Sequence, residues 1–336
     1  MNRDAHQKAP FGSILTDLMA VASYRDGAWG KHEILPTGTM DVHPAAHALH
    51  YGSSCFEGFK AYRRADGQVH IFRMDRHIAR LQQSAHALVM PEPGARQVAE
   101  MVVTLVDRLR AAVPDAPGAL YLRPLLFGTM ANIGAASTPT SEACLTVLAS
   151  PVWDYFSGGM KPLRIFVDDK NQRCAPHLGV VKTGGNYAAA MGPTLAARKA
   201  CAADQVLFCP GGEVQETGAA NFLLCRKGQV LTRSLDSSFL HGVTRDSVLT
   251  MAREMGYRVE ERVFRIPEAL DWVKSGEATL SGTAAVLSGI GTLIYAGADH
   301  RVGNGEVGEH TLALRAALVA VQRGERADAH GWLTRV

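Results

Sequence analysis

Nowhere does this 336-residue chain carry a long uncharged apolar run, so no transmembrane helix is expected. Its first residues, MNRDAHQKAPFGSILTDLMA, lack a basic patch followed by a pure apolar core and a small-residue cleavage site, which argues against a secretory leader. No block of five or six lysines or arginines occurs, and the formal net charge is only +3; the electrostatic footprint of a nucleic-acid binder is missing. The six cysteines, Cys55, Cys144, Cys174, Cys201, Cys209 and Cys225, show no close paired spacing, and several sit in apolar runs such as QVLFCP and NFLLC. They read as buried free thiols of a reducing compartment, so a cytoplasmic location is expected. His47 and His50 read as packing residues rather than ligands, because no carboxylate or thiol completes a clear ligand set, and no metal is expected. There is no Walker sequence and no internal repeat.

What remains is an ordinary globular composition, 47% apolar and 20% charged, in a chain long enough for one large or two medium domains. GQVHIFR reads as a strand leading into MDRHIARLQQSAHALVM, where Ile78, Leu81, Ala85 and Leu88 recur at helical intervals. ARQVAEMVVTLVDRLRAAV repeats that pattern, and ALYLRPLLFG and EACLTVLASPV read as strands, so the first half is α+β. The glycines and proline of WDYFSGGMKP mark the best boundary, giving a smaller domain over 1–152, a linker over 153–162 and a larger domain over 163–336. In the second half, Lys227 and Gly228 join two short strands, GVTRDSVLTMAREMG and PEALDWVKSG are helices, and the helix EHTLALRAALVAVQRG precedes a tail of disordered composition.

The reactive feature is GVVKTGGNYAAAMG, in which an apolar strand is expected to run through Lys182 into a glycine turn. A lysine there can simply snorkel to water. It can also form a Schiff base, if partly desolvated and held by a rigid element. Gly184 and Gly185 would permit a strained turn or the close approach of a bulky ring, with Tyr187 on the other side. In GGEVQETGAANFLLC, Glu213 or Glu216 could face a buried ring nitrogen and keep it protonated. A helix starting near Thr244 offers free amides to an anion, although an ordinary threonine cap would look the same. The SGTAA loop and Arg73 could complete a phosphate cradle.

Taken together and in order, HALHYGSSCFEG, IFRMDRHIARLQQSA, YLRPLLFG, VKTGGNYAAAM, ETGAANFL, LHGVTRDSV and LSGTAA resemble the branched-chain amino acid aminotransferases, fold type IV pyridoxal phosphate enzymes. The likeness runs from about Tyr24 to Arg315. It implies a mixed α+β fold, with a smaller N-terminal α/β domain and a larger C-terminal domain built on an antiparallel-rich, barrel-like sheet. It implies pyridoxal 5'-phosphate held covalently by Lys182, with Tyr187 on the phenolic oxygen, Glu216 on the pyridine nitrogen and Leu240 against the ring. Arg73, the amides of Val243 and Thr244, and Thr283 would bind phosphate. Tyr121 with the backbone of Thr283 and Ala284 would take the substrate's α-carboxylate, and Phe56 and Gly58 would line the side-chain pocket. Arg123, with Tyr51 from a partner subunit, would accept the distal carboxylate of glutamate, which implies at least a homodimer. Glu57 is expected to be structural.

The activity so implied is ping-pong transfer of the amino group of L-leucine, L-isoleucine or L-valine to 2-oxoglutarate. The alternatives are a transaminase of the same fold for D-amino acids or amines, or an aminodeoxychorismate lyase-like enzyme. Relative to the family pattern, His241 stands where proline is common, and the paired cysteines of some mammalian relatives are absent beside SGTAA.

Overall fold

A computed structural model describes residues 10–153 and 160–336. The chain divides into two compact units. The first takes its described residues from Met1–Tyr155, Val181–Gly184 and Gln322–Val336; the second takes them from Phe156–Val180 and Gly185–Val321. The chain passes from the first unit to the second inside the stretch expected as a linker, 153–162, and it returns to the first unit twice. Most of the expected linker, residues 154–159, lies outside the described residues.

The first unit is built on a nine-stranded sheet. Its strands are β1 (Leu18–Arg25), β2 (Ala28–Trp29), β3 (Glu33–Pro36), β4 (Ser54–Phe56), β5 (Phe59–Arg63), β6 (Val69–Phe72), β7 (Ala119–Gly128), β8 (Ala143–Val152) and, far along the chain, β17 (Leu333–Arg335). All pairings are antiparallel, and the main path runs β17-β6-β5-β7-β8-β1-β2. Helix α1 (His47–Tyr51) leads into β4, while α2 (Met74–Ala87) and α3 (Ala95–Arg108) supply the core. Ile78, Leu81 and Ala85 of α2 are buried against this core as their spacing predicts, and Val98, Met101, Val102 and Leu105 of α3 do the same. The tail of disordered composition instead pairs β17 with β6, because Trp332 is buried edge-on against Phe72 at 5.7 Å.

The second unit holds an eight-stranded mixed sheet, with β9 (Leu163–Asp168), β10 (Gln205–Phe208), β11 (Asn221–Arg226), β12 (Gln229–Thr232), β13 (Arg258–Glu261), β14 (Glu277–Gly282), β15 (Val286–Tyr295) and β16 (Ala298–Arg301). The order is β10-β9-β15-β14-β11-β12-β13, with β16 on β15. Its centre, β15-β14-β11-β12, is antiparallel; β9 runs parallel to both β10 and β15, and β13 runs parallel to β12. The expected hairpin at Lys227 and Gly228 joins β11 to β12, with Gly228 in the left-handed region at φ 72°. Helices α4 (Gly184–Cys201), α5 (Val243–Glu254), α6 (Ile266–Trp272) and α7 (Glu309–Gln322) complete the described elements.

Candidate active site

Lys182 does not end a strand. It lies in irregular chain between a 3-10 turn at Pro176–Leu178 and the start of α4, because Gly179 packs directly against the backbone of Ser238 and Phe239 and leaves too short a run for pairing. Both sides of the Lys182 peptide are pinned within the first unit. Its N–H donates to Ser84 Oγ on α2 at 3.0 Å, and its carbonyl accepts from the N–H of Phe56 on β4 at 3.0 Å. The Nζ atom sits 5.0 Å from the Phe56 ring centroid. The glycines that follow form no strained turn: Gly184 and Gly185 open α4 with ordinary φ, and a β-carbon on either would meet no described atom within 4 Å.

Around Phe56 the first unit gathers three more of the expected residues. The Arg123 guanidinium lies 4.6 Å from the Phe56 ring and 5.3 Å from that of Tyr121, and its Nη2 donates to the Tyr121 hydroxyl at 2.8 Å. Gly58 faces the same phenol, for which any side chain at 58 would compete. Tyr51 ends α1, and its hydroxyl donates to the carbonyl of Ile133. Behind this cluster, α2 and the cap residue before it present buried polar side chains: Arg73 at the cap, and His77, Arg80 and Ser84 on the helix. Glu57, wholly buried, accepts two bonds from Arg80 (2.6 and 2.9 Å) and meets His77 Nδ1 at 2.7 Å. Burial alone would raise the Glu57 carboxyl, but Arg80 and His77 overcome it and hold the group well below the usual carboxylate range. Burial pushes His77 down, against the pull of Glu57 and with help from the charges of Arg80 and Lys182. Sequence reasoning did not find the partners of Glu57, although their helical spacing from Arg73 is legible afterwards.

The second unit carries the other expected residues. Glu216, 2% exposed, forms an ion pair with Arg173 at 2.8 Å. It also accepts from the N–H of Leu240 at 2.8 Å and from Asn221 Nδ2 at 2.9 Å. Arg173 and Asn221 were missed: Arg173 lies in a loop whose sequence has no periodicity, and the Asn221 amide matters only through its fork between Glu216 and the Leu240 carbonyl (2.8 Å). The Arg173 guanidinium is 6.0 Å from the Tyr187 ring. Glu213 stands apart from this cluster, bonded to Arg233 at 3.1 Å.

Helix α5 begins at Val243, with Gly242 as its cap residue and no side-chain cap bond, so Thr244 lies inside the first turn and is no ordinary threonine cap. The first amide to return into the helix is that of Asp246, bonded to Gly242 O at 3.0 Å; those of Val243 and Thr244 point out of the positive end. His241 bonds through Nε2 to the Asp236 carbonyl at 2.8 Å. Thr283 and Ala284 form the turn between β14 and β15, which closes on Val286 at φ 66°, an uncommon backbone for a β-branched residue.

One glycine spacing of dinucleotide-loop type, Gly303, Gly305 and Gly308, also precedes a helix. It follows the antiparallel strand β16, and the Glu277 carboxylate already fills the start of α7, accepting from the amides of His310 (2.9 Å) and Thr311 (2.8 Å). The chain supplies its own anion there.

Each unit carries donors of a kind that fits pyridoxal phosphate: the first a primary amine on a pinned peptide for an aldehyde, the second a buried carboxylate for a protonated ring nitrogen and outward first-turn amides for a phosphate. The family model for class IV amino-transferases matches residues 54–291. A probable branched-chain-amino-acid aminotransferase of Streptomyces coelicolor is 40% identical, with 96% of this chain and 91% of that protein covered. The branched-chain-amino-acid aminotransferase of Mycobacterium tuberculosis is 38% identical, covering 97% and 92%. Among solved structures, a T.th. branched-chain amino acid aminotransferase with pyridoxamine 5'-phosphate superposes with a TM-score of 0.77 at 27% identity, covering 93% of this chain and 97% of that one. The Escherichia coli enzyme gives 0.78 at 26%, covering 93% and 98%. Motif order, donor chemistry and both kinds of likeness agree: the chain belongs to the class IV amino-transferases, among the pyridoxal phosphate-dependent branched-chain-amino-acid aminotransferases of fold type IV.

Proposed function

We propose that this protein transfers the amino group of L-leucine, L-isoleucine or L-valine to 2-oxoglutarate, reversibly and by a ping-pong route, as a cytoplasmic homodimer. The observation that carries the substrate class is the Arg123 guanidinium lying over both the Phe56 and Tyr121 rings. Such a surface takes an aliphatic side chain on its aromatic faces. It also supplies a cation to the distal carboxylate of glutamate, which would be costly to bury unpaired.

When bound, pyridoxal phosphate supplies an electrophilic carbon for amine exchange and a ring that draws negative charge away from the substrate Cα. Lys182 would hold that carbon through Nζ and, as a free amine, would take the substrate's Cα proton. Glu216, paired with Arg173, would accept the hydrogen bond of the protonated ring nitrogen. Tyr187 would bond the phenolic oxygen and Leu240 would pack on the ring. Arg73, the amides of Val243 and Thr244, and Thr283 would hold the phosphate, so that binding energy far from the reacting atoms orients the ring. Tyr121, with the Thr283 and Ala284 backbone, would receive the α-carboxylate; Gly58 would line the side-chain pocket with Phe56, and Tyr51 from the second subunit would join Arg123.

A screen of amino donors against oxo acids tests this reading. L-Leucine, L-isoleucine and L-valine with 2-oxoglutarate should exceed D-amino acids, simple amines and aromatic donors. Preference for D-amino acids or amines would overturn it.

A further inference from the structure

Resting on the assignment of Arg73 to the cofactor phosphate, we propose that Trp332 is a positioning residue: it fixes the Arg73 guanidinium and so sets the affinity for the phosphate of the cofactor. Arg73 joins β6 to α2 in the left-handed region, at φ 53° and ψ 36°, a backbone that a residue with a long side chain adopts only when its surroundings impose it. The imposing element is the returning segment. Leu333 of β17 pairs with Phe72, the residue before Arg73, and the Arg73 N–H donates to the Trp332 carbonyl at 2.7 Å. The indole then lies 4.8 Å from the guanidinium carbon, stacks on His330 at 4.5 Å, and meets Phe72 edge-on. The turn presenting the indole is itself tied, since Asp328 accepts from the N–H groups of both Trp332 and Leu333 at 2.8 Å. One residue thus holds Arg73 twice, by the main chain and by the ring face, and tryptophan offers the strongest such face to a cation.

The test compares pyridoxal phosphate with pyridoxal, which lacks only the phosphate, by titrating the apoprotein and following absorbance and thermal midpoint. Trp332→Leu fills space without a π face and should weaken pyridoxal phosphate about three- to thirtyfold. Pyridoxal affinity should change less than about twofold, and Trp332→Phe should restore most of the loss. Equal weakening of both ligands, which a general loss of packing would produce, overturns the proposal, as does no change in either. Arg73→Gln separates the two assignments. If it leaves pyridoxal phosphate affinity intact, the phosphate role of Arg73 fails and the proposal falls with it. If it weakens binding, adding Trp332→Leu must cost nothing further; an additive loss leaves Arg73 in place and removes Trp332 from its role.

Discussion

A β-carbon added to Gly58 would lie 2.0 Å from the hydroxyl oxygen of Tyr121 and 2.8 Å from its Cζ. Absence of a side chain at 58 is thus what lets the phenol lie where Arg123 donates to it. Gly58→Ala should displace Tyr121, cost about 1–3 kcal/mol of stability, and lower kcat/KM for L-leucine roughly ten- to a hundredfold. Steady-state kinetics alongside a thermal melt check both figures; unchanged kinetics would mean that the phenol position is unimportant.

Arg123→Leu separates the two half-reactions. The glutamate carboxylate loses its cation, whereas aliphatic donors keep an apolar surface, so kcat/KM for L-glutamate should fall about a hundredfold or more and that for L-leucine by less than about tenfold. Single-turnover assays with each amino acid read the two values. Equal losses would refute the division of labour.

At the other cluster, a β-carbon on Gly242 would meet Asn221 Oδ1 at 2.0 Å, disturbing the amide that bonds both Glu216 and the Leu240 carbonyl. Gly242→Ala should weaken pyridoxal phosphate binding about tenfold at a stability cost of about 1–3 kcal/mol, measured by apoprotein titration and melting.

The buried ion network predicts a stability profile in acid. Folding depresses both Glu57 and His77, so each binds fewer protons folded than unfolded at a given pH. Their stabilisation is complete above the unfolded values, roughly 6.5 for histidine and 4.3 for glutamate, and is lost as pH falls. The melting temperature should begin to drop just below about pH 6.5 and drop again below about pH 4.3. Glu57→Gln should cost roughly 3–5 kcal/mol at neutral pH, since it strands the Arg80 charge, and should make the second drop smaller, the remainder coming from Asp168 and Asp236, which folding also depresses.

Much of this fold could be read in advance where local rules act alone. The apolar spacing of α2 and the Lys227-Gly228 turn need no distant partner; residue type alone marks Lys182, whereas only the family resemblance separates Glu216 from Glu213. Contacts that depend on long-range placement were not readable. Arg173 is an unremarked loop residue until the second unit folds it against Glu216. The strand at Leu333–Arg335 is short and partly polar, and it exists because Trp332 finds Phe72. Gly184 and Gly185 misled in the opposite direction, since helix α4 absorbs them without strain.

The two hydrogen bonds that hold the Lys182 peptide have a consequence in time. Both partners, Ser84 and Phe56, belong to the unit that includes Val181–Gly184, while the residues on either side of that segment belong to the other. Proton exchange at the Lys182 amide should therefore follow the opening of α2 and β4, at a rate independent of that of its neighbours in α4. The lysine proposed to hold the cofactor keeps the clock of one folding unit while its sequence neighbours keep that of another.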